Sequence, residues 1–188
     1  MAGPDRALRL FLALEFEQGA RSELGAWAAR ALAARDDLRP VAPDALHVTL
    51  VFLGATAPER VPSIWAATEA GATGQRAAKL SPIGVKGVPR RRPRLFALDL
   101  ADEDGRAAKL RAEVAGALAS GGLHARDPHP FWAHVTLARV RRGRRPRPLA
   151  IEPPAPEPLC APALALYRSD PSPEGSRYTA LEGLELHG

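Results

Sequence analysis

The sequence predicts an α/β chain of the α+β type, built from two related halves that share one cleft. Three observations predict it. The word HVTL occupies residues 47–50 and is repeated letter for letter at 134–137. The apolar stretch RLFLALEF over 9–16 has a shorter echo, RLFALDL, over 94–100. In each half the apolar stretch is followed by an alanine-rich helical pattern, a proline-containing loop and then HVTL, with Phe11 36 residues before His47 and Phe96 38 before His134. Two copies of one supersecondary unit produce such an order, and related halves usually face each other about a pseudo-twofold axis. The expectation is one domain over 1–188, with halves near 1–90 and 91–188 and terminal strands able to cross between them.

Element by element, hydrophobic periodicity and turn residues give a strand near 7–16, a helix near 18–35, a strand near 45–53, a helix near 59–72 and a strand near 78–88. Pro43 or Asp44 closes the loop before the first HVTL. The second half reads as a strand near 93–101, a helix near 104–120, a strand near 131–141 and strands near 158–168 and 176–186. Asp102 or Asp104 supplies an N-cap for that helix, where a carboxylate meets orphan amide donors and the positive end of the dipole. The proline- and arginine-rich stretch between Arg141 and Pro158 reads as a loop and as the mobile segment of the chain.

Composition narrows the function class. At 46% hydrophobic residues the chain can bury a real core. Its single cysteine, Cys160, can make no internal disulfide, which suits a reducing, cytoplasmic setting. Arg9 and Glu15 interrupt the apolar N-terminal stretch, so a signal peptide is not expected, and no run approaches membrane-span length. The formal charge is +5. Its excess is clustered at Arg90, Arg91, Arg92 and Arg94, and again at Arg139, Arg141, Arg142, Arg144, Arg145 and Arg147. Clustered guanidinium groups suit phosphate, although a solvated basic loop has the same composition.

The repeated word carries the chemistry. On a strand His47 and Thr49 share one face while Val48 and Leu50 share the other, and the same split holds for His134 and Thr136. The apolar pairs anchor and the polar pairs are presented. Histidine titrates near neutrality, so one ring of a pair can accept a proton while the other donates one. Threonine hydroxyls can hydrogen-bond non-bridging phosphoryl oxygens. A lone His-x-Thr is more often structural, but two identical flanked copies in so short a chain arise by chance on the order of once in a thousand. Other chemistries lack their spacings. His124, His129, His187 and Cys160 form no zinc-ligand pattern, GATGQRAAK over 71–79 misses the phosphate-loop spacing, and no GxSxG elbow is present. No cofactor and no metal are expected.

From these residues the sequence resembles the 2H phosphoesterases, and most closely their RNA 2′,3′-cyclic phosphodiesterase branch, also called 2′-5′ RNA ligases. The resemblance is carried by RLFLAL over 9–14, LHVTLVFLG over 46–54, PRLFAL over 93–98, FWAHVTLAR over 131–139 and the closing hairpin LYRSDPSPEGSRYTAL over 166–181. It implies a bilobal fold with mainly antiparallel sheets facing a central cleft and helices outside. It also implies hydrolysis of a 2′,3′-cyclic phosphate end of RNA or a nucleotide to a 2′-phosphate. His47 and His134 would be catalytic, and Thr49 and Thr136 would bind phosphate. Phe11 and Arg139 match residues that hold the terminal base by stacking; Phe96 stands where tryptophan is common. The reading gives the base to His134 and the acid to His47, roles that the pseudo-symmetry leaves exchangeable. A 5′-hydroxyl in place of water would give 2′-5′ ligation without ATP as a minor activity. The partners are RNA or nucleotide ends, with no membrane and a monomeric protein. Two alternatives stay open: a non-catalytic RNA-end binding module, and a phosphodiesterase for another small cyclic phosphate such as an ADP-ribose derivative.

Overall fold

The computed structural model describes residues 7–125, 128–155, 157–172 and 175–188. The first six residues of the N-terminal stretch and the tip of the closing hairpin lie outside them. The elements are β1 (Leu8–Glu15), α1 (Gln18–Leu32), β2 (Leu38–Pro40), β3 (Val48–Thr56), α2 (Val61–Ala72), β4 (Ala78–Val88), β5 (Leu95–Ala101), α3 (Arg106–Ser120), β6 (His134–Val140), β7 (Leu159–Ala161), β8 (Ala163–Ser172) and β9 (Gly175–Glu185). Their strands join in one sheet in the order β7-β4-β5-β6-β3-β1-β8-β9, with β2 added on β6. Every ladder is antiparallel. This is the α+β class the repeat predicted.

The order is palindromic: β9-β8-β1-β3 on one side is mirrored by β7-β4-β5-β6 on the other. The halves meet at β3 and β6 through a single residue pair, Val48 and Val135. Each valine is the second letter of its HVTL, so the pseudo-twofold passes between the two words. The lobes interlock in sequence, since β4 pairs with β5 while β8 and β9 return to β1.

Register also corrects the alignment of the halves. Thr49 pairs with Ala13 and Thr136 with Ala97, each beside the same β-bulge. Phe52 pairs with Phe11 and Arg139 with Leu95. The counterpart of Phe11 is therefore Leu95, and Phe96 corresponds to Leu12. One step along a strand reverses the face. Phe96 accordingly lies in the core at 3% exposure, with the Arg35 guanidinium 5.5 Å from its ring centre, and does not face the cleft.

Helical spacing supplies the core contacts. Ala107, Leu110, Val114 and Leu118 form the buried stripe of α3, and Ile64, Thr68 and Ala72 that of α2. The two helices touch at Gly71, where a Cβ would come within 2.7 Å of the Val114 Cα. The start of α3 differs from the expected cap. Gly105 holds the N-cap position at φ 68°, while Asp102 reaches in from outside to accept from the Ala108 amide (2.8 Å) and the Ala107 amide (3.3 Å). Asp104 accepts from the Arg106 amide at 3.2 Å. The left-handed turn favours glycine, and the carboxylates still satisfy the orphan donors. No described helix is long and apolar enough to cross a membrane.

Candidate active site

Val48 and Val135 are both fully buried, so their neighbours His47, Thr49, His134 and Thr136 project to the opposite face of the sheet. The antiparallel pairing of the valines sets His47 across from Thr136 and Thr49 across from His134. With only one bridge between β3 and β6, the words diverge on either side and leave a groove. A cavity of about 160 Å³ there is lined by Phe11, His47, Thr49, Thr136 and Arg139, together with Arg9, Phe52 and Tyr178 among others. Five of the six residues singled out in the sequence thus share one cavity wall. His134 stands outside that wall, with its ring against Trp132; His124 and His129 do not line it.

Both imidazoles are held in the same way. The Nδ1–H of His47 donates to the Ala45 carbonyl (2.8 Å) and that of His134 to the Trp132 carbonyl (2.9 Å), in each case two residues upstream. A carbonyl oxygen only accepts, so each Nδ1 carries a hydrogen and Nε2 is the nitrogen left to exchange protons. Nε2 of His47 lies 3.2 Å from the Thr49 hydroxyl. His47 precedes β3 by one residue and is set by a tight turn at Pro43–Ala45. That turn is buttressed by α1, because Pro43 packs where a Cβ on Gly25 would stand, 2.7 Å away.

The surroundings of the two rings differ. Phe11 stacks on His47 with centroids 4.9 Å apart, Tyr167 lies parallel at 6.1 Å, and Tyr178 meets it edge-on at 5.3 Å. Burial among these rings pushes the His47 pKa down to about 4, against the upward pull of the Ala45 bond, and the nearby His134 and Arg139 charges depress it further. His134 instead lies flat on the Trp132 indole, centroids 4.0 Å apart.

A carboxylate anchors an aromatic shelf beside each histidine. Asp99, opposite His134 in the ladder, accepts from the Trp132 indole N–H at 2.5 Å and pairs with Lys86. Its counterpart by register is Glu15, which accepts from the Tyr167 hydroxyl, with Arg21 at 4.0 Å. Burial and the Glu15 carboxylate push the Tyr167 phenol above its ordinary value, so it remains a neutral donor.

Tyr167, Tyr178, Trp132, Glu15 and Asp99 were not singled out in the sequence. The signal for Trp132 was present in FWAHVTLAR, two residues before the histidine. The tyrosines belong to the closing hairpin, whose return to β1 is a long-range pairing. The arginine-rich loop is tied down in part. Asp37 holds Arg35 through two 2.7 Å bonds and accepts from the Arg147 amide at 3.0 Å, while Arg141 donates to the Leu38 carbonyl at 2.9 Å. These arginines brace the loop against α1 and β2.

Comparison with known proteins agrees with this geometry. A family model described as LigT-like phosphoesterase matches residues 14–96. The Thermus thermophilus protein TT0787 superimposes with a TM-score of 0.81 at 26% identity, over 96% of this chain and 99% of that one. E. coli LigT complexed with 3′-AMP gives 0.78 at 25%, over 96% and 98%, and LigT complexed with NADP+ gives 0.77 at 25%, over 97% and 99%. No curated protein sequence matches. By family model over 14–96 and by fold over nearly its whole length, the chain is similar to the LigT-like phosphoesterases.

Proposed function

We propose that the chain hydrolyses 2′,3′-cyclic phosphate ends of RNA or nucleotides to 2′-phosphates, using two histidines and no metal. The observation that carries this reading is the pair of imidazoles, each pinned through Nδ1, flanking one bridge between two HVTL words. A binding module would need positive charge but no matched acid and base. That LigT is seen with 3′-AMP and with NADP+ supports a nucleotide as the substrate.

In the proposed step a water oxygen attacks phosphorus in line with the P–O3′ bond. The water proton passes to one Nε2, the P–O3′ bond breaks, and the other Nε2–H protonates O3′. Thr49 and Thr136 hold the non-bridging oxygens, and Arg139 and Phe11 hold the base. The depressed pKa of His47 leaves its Nε2 unprotonated at neutral pH, which suits the acceptor. We therefore assign the base to His47 and the acid to His134, exchanging the roles of the sequence-based reading. A 5′-hydroxyl in place of water would form a 2′-5′ bond; strain in the cyclic ester favours opening.

The test is hydrolysis of 2′,3′-cyclic AMP across pH with a chelator present. A bell-shaped rate with His47→Ala and His134→Ala both inactive is expected. An activated leaving group should rescue His134→Ala and not His47→Ala. Rescue of the other variant restores the opposite assignment, and loss of activity to chelator sinks the two-histidine mechanism.

A further inference from the structure

The two HVTL words share a feature just outside themselves. Each histidine donates Nδ1–H to the carbonyl two residues upstream, Ala45 for His47 and Trp132 for His134. Any residue can supply a backbone carbonyl, so that bond asks nothing of the side chain at the position. The side chains nevertheless differ: a methyl group beside His47 and an indole beside His134. The indole lies flat against the imidazole, with centroids 4.0 Å apart and planes 15° apart.

The indole is itself held. Asp99, 4% exposed on β5 and opposite His134 in the ladder, accepts its N–H at 2.5 Å. That bond fixes the plane of the ring. A carboxylate on the N–H also pushes electron density into the ring, whose face is already its negative side. An imidazolium against that face is attracted as a cation, whereas a neutral imidazole gains dispersion alone. The other charged and titratable groups around the pair come from four elements. They are Lys86 of β4, paired with Asp99, His47 beyond the valine bridge, Arg139 farther along β6, and Arg111 of α3 over the neighbouring Phe131 ring. The Asp99 charge is shared between Lys86 and the indole N–H, and the aromatic face is what touches His134.

We infer that Trp132 is a positioning residue for the acid: its face selects the charged form of His134 and holds that ring for proton delivery to the leaving oxygen. The inference rests on the reading of His134 as the general acid. On delivery the proton passes from Nε2 to O3′ and the ring returns to its neutral form. The attraction therefore acts before the step, on the supply of protonated enzyme. Part of the asymmetry between two identical words then lies two residues ahead of the second one.

The experiment measures kcat/KM on 2′,3′-cyclic AMP against pH for the wild-type chain, Trp132→Phe and Trp132→Leu. The basic limb reports the acid. In Trp132→Leu it should move toward lower pH by about one unit, the scale of a partly desolvated cation–π contact. Trp132→Phe keeps a flat face, loses the bond to Asp99 and should move the limb by less. Lys86 stays with Asp99 in both, so neither variant leaves a lone buried charge. A uniform loss at every pH with the limb in place makes Trp132 a packing residue and overturns the inference, as do equal shifts in the two variants. A shift of the acid limb instead makes His134 the base and overturns it too. If the wild type leaves the cyclic ester intact, the groove reading fails, and an NMR titration of the His134 imidazole decides the contact separately. A midpoint that falls from wild type to Trp132→Leu supports the selection of the charged ring; an unchanged midpoint overturns it.

Discussion

Removing one wall of the aromatic box should move the titration of His47. Tyr178 meets the ring edge-on at 5.3 Å and is half-buried on the hairpin strand β9, so Tyr178→Ala admits water without hollowing the core. The distance between the ordinary histidine value of 6.5 and the His47 value of about 4 corresponds to roughly 3 kcal/mol of preference for the neutral ring. Three rings share that desolvation, and loss of one should raise the pKa by about one unit, or about 1.4 kcal/mol. The same difference appears in stability. Between pH 6.5 and 4 the unfolded chain binds more protons than the folded one. Stability from this source is complete above pH 6.5, declines as pH falls through that window, and is fully lost below it. An NMR titration of the His47 imidazole reads the pKa directly, and urea unfolding at pH 7 and pH 4.5 reads the linkage. If His47 is the base, the acid limb of kcat/KM shifts upward with the variant. A wild-type His47 that titrates near 6.5, or one that ignores Tyr178→Ala, refutes both the burial argument and the base assignment.

Asp99→Asn keeps the shape beside Trp132 but loses the charge that grips the indole and Lys86; kcat should fall on the order of tenfold with little change in KM, and unchanged kcat would leave Asp99 a purely structural partner of Lys86. Gly71→Ala wedges α2 from α3 and Gly25→Ala wedges α1 from the turn before His47; each should cost about 1–3 kcal/mol in denaturant unfolding, but only Gly25→Ala should slow turnover in the folded population. Asp37, whose carboxyl is held well below its ordinary value chiefly by its bond to Arg35, contributes stability above pH 4 that is lost as the pH falls further; Asp37→Asn should lower stability at pH 7 by about 3 kcal/mol and flatten the acid side of the profile.

What the sequence made legible was whatever depends on local spacing. The two words, their alternation into anchored and presented faces, and the extents of most elements follow from periodicity. The helix expected to 35 ends at Leu32, and the single strand expected over 158–168 is divided between β7 and β8. What the sequence hid depends on register and on long-range return. A bulge displaced the match between Phe11 and Phe96 by one residue, and that residue decides whether a ring enters the cleft or the core. β2 is three residues long and ends in proline, too short for any periodic signal, yet it sets Arg39 opposite Arg139. The depressed His47 pKa requires Tyr167 and Tyr178, which reach the ring only because the last hairpin pairs with the first strand.

Identical words cannot by themselves yield one acid and one base, so the difference has to come from what packs over them. The palindromic sheet shows where it arises. Phe11 pairs with Tyr167, whereas the corresponding pair in the other half is Leu95 with Val88, so His134 has no counterpart of these two rings and takes its aromatic contact from Trp132 instead. The outermost strands diverge further: β9 runs 11 residues and brings Tyr178 over His47, while its counterpart β7 runs three. A strand of three residues spans about 10 Å and lies alongside only Ala78–Leu80 of β4. The tyrosine cover over His47 is then a consequence of strand length at the sheet edges. Lengthening β7, with no change to either HVTL word, is the sequence change that would bring the two rings toward equivalence and, on this mechanism, reduce the rate.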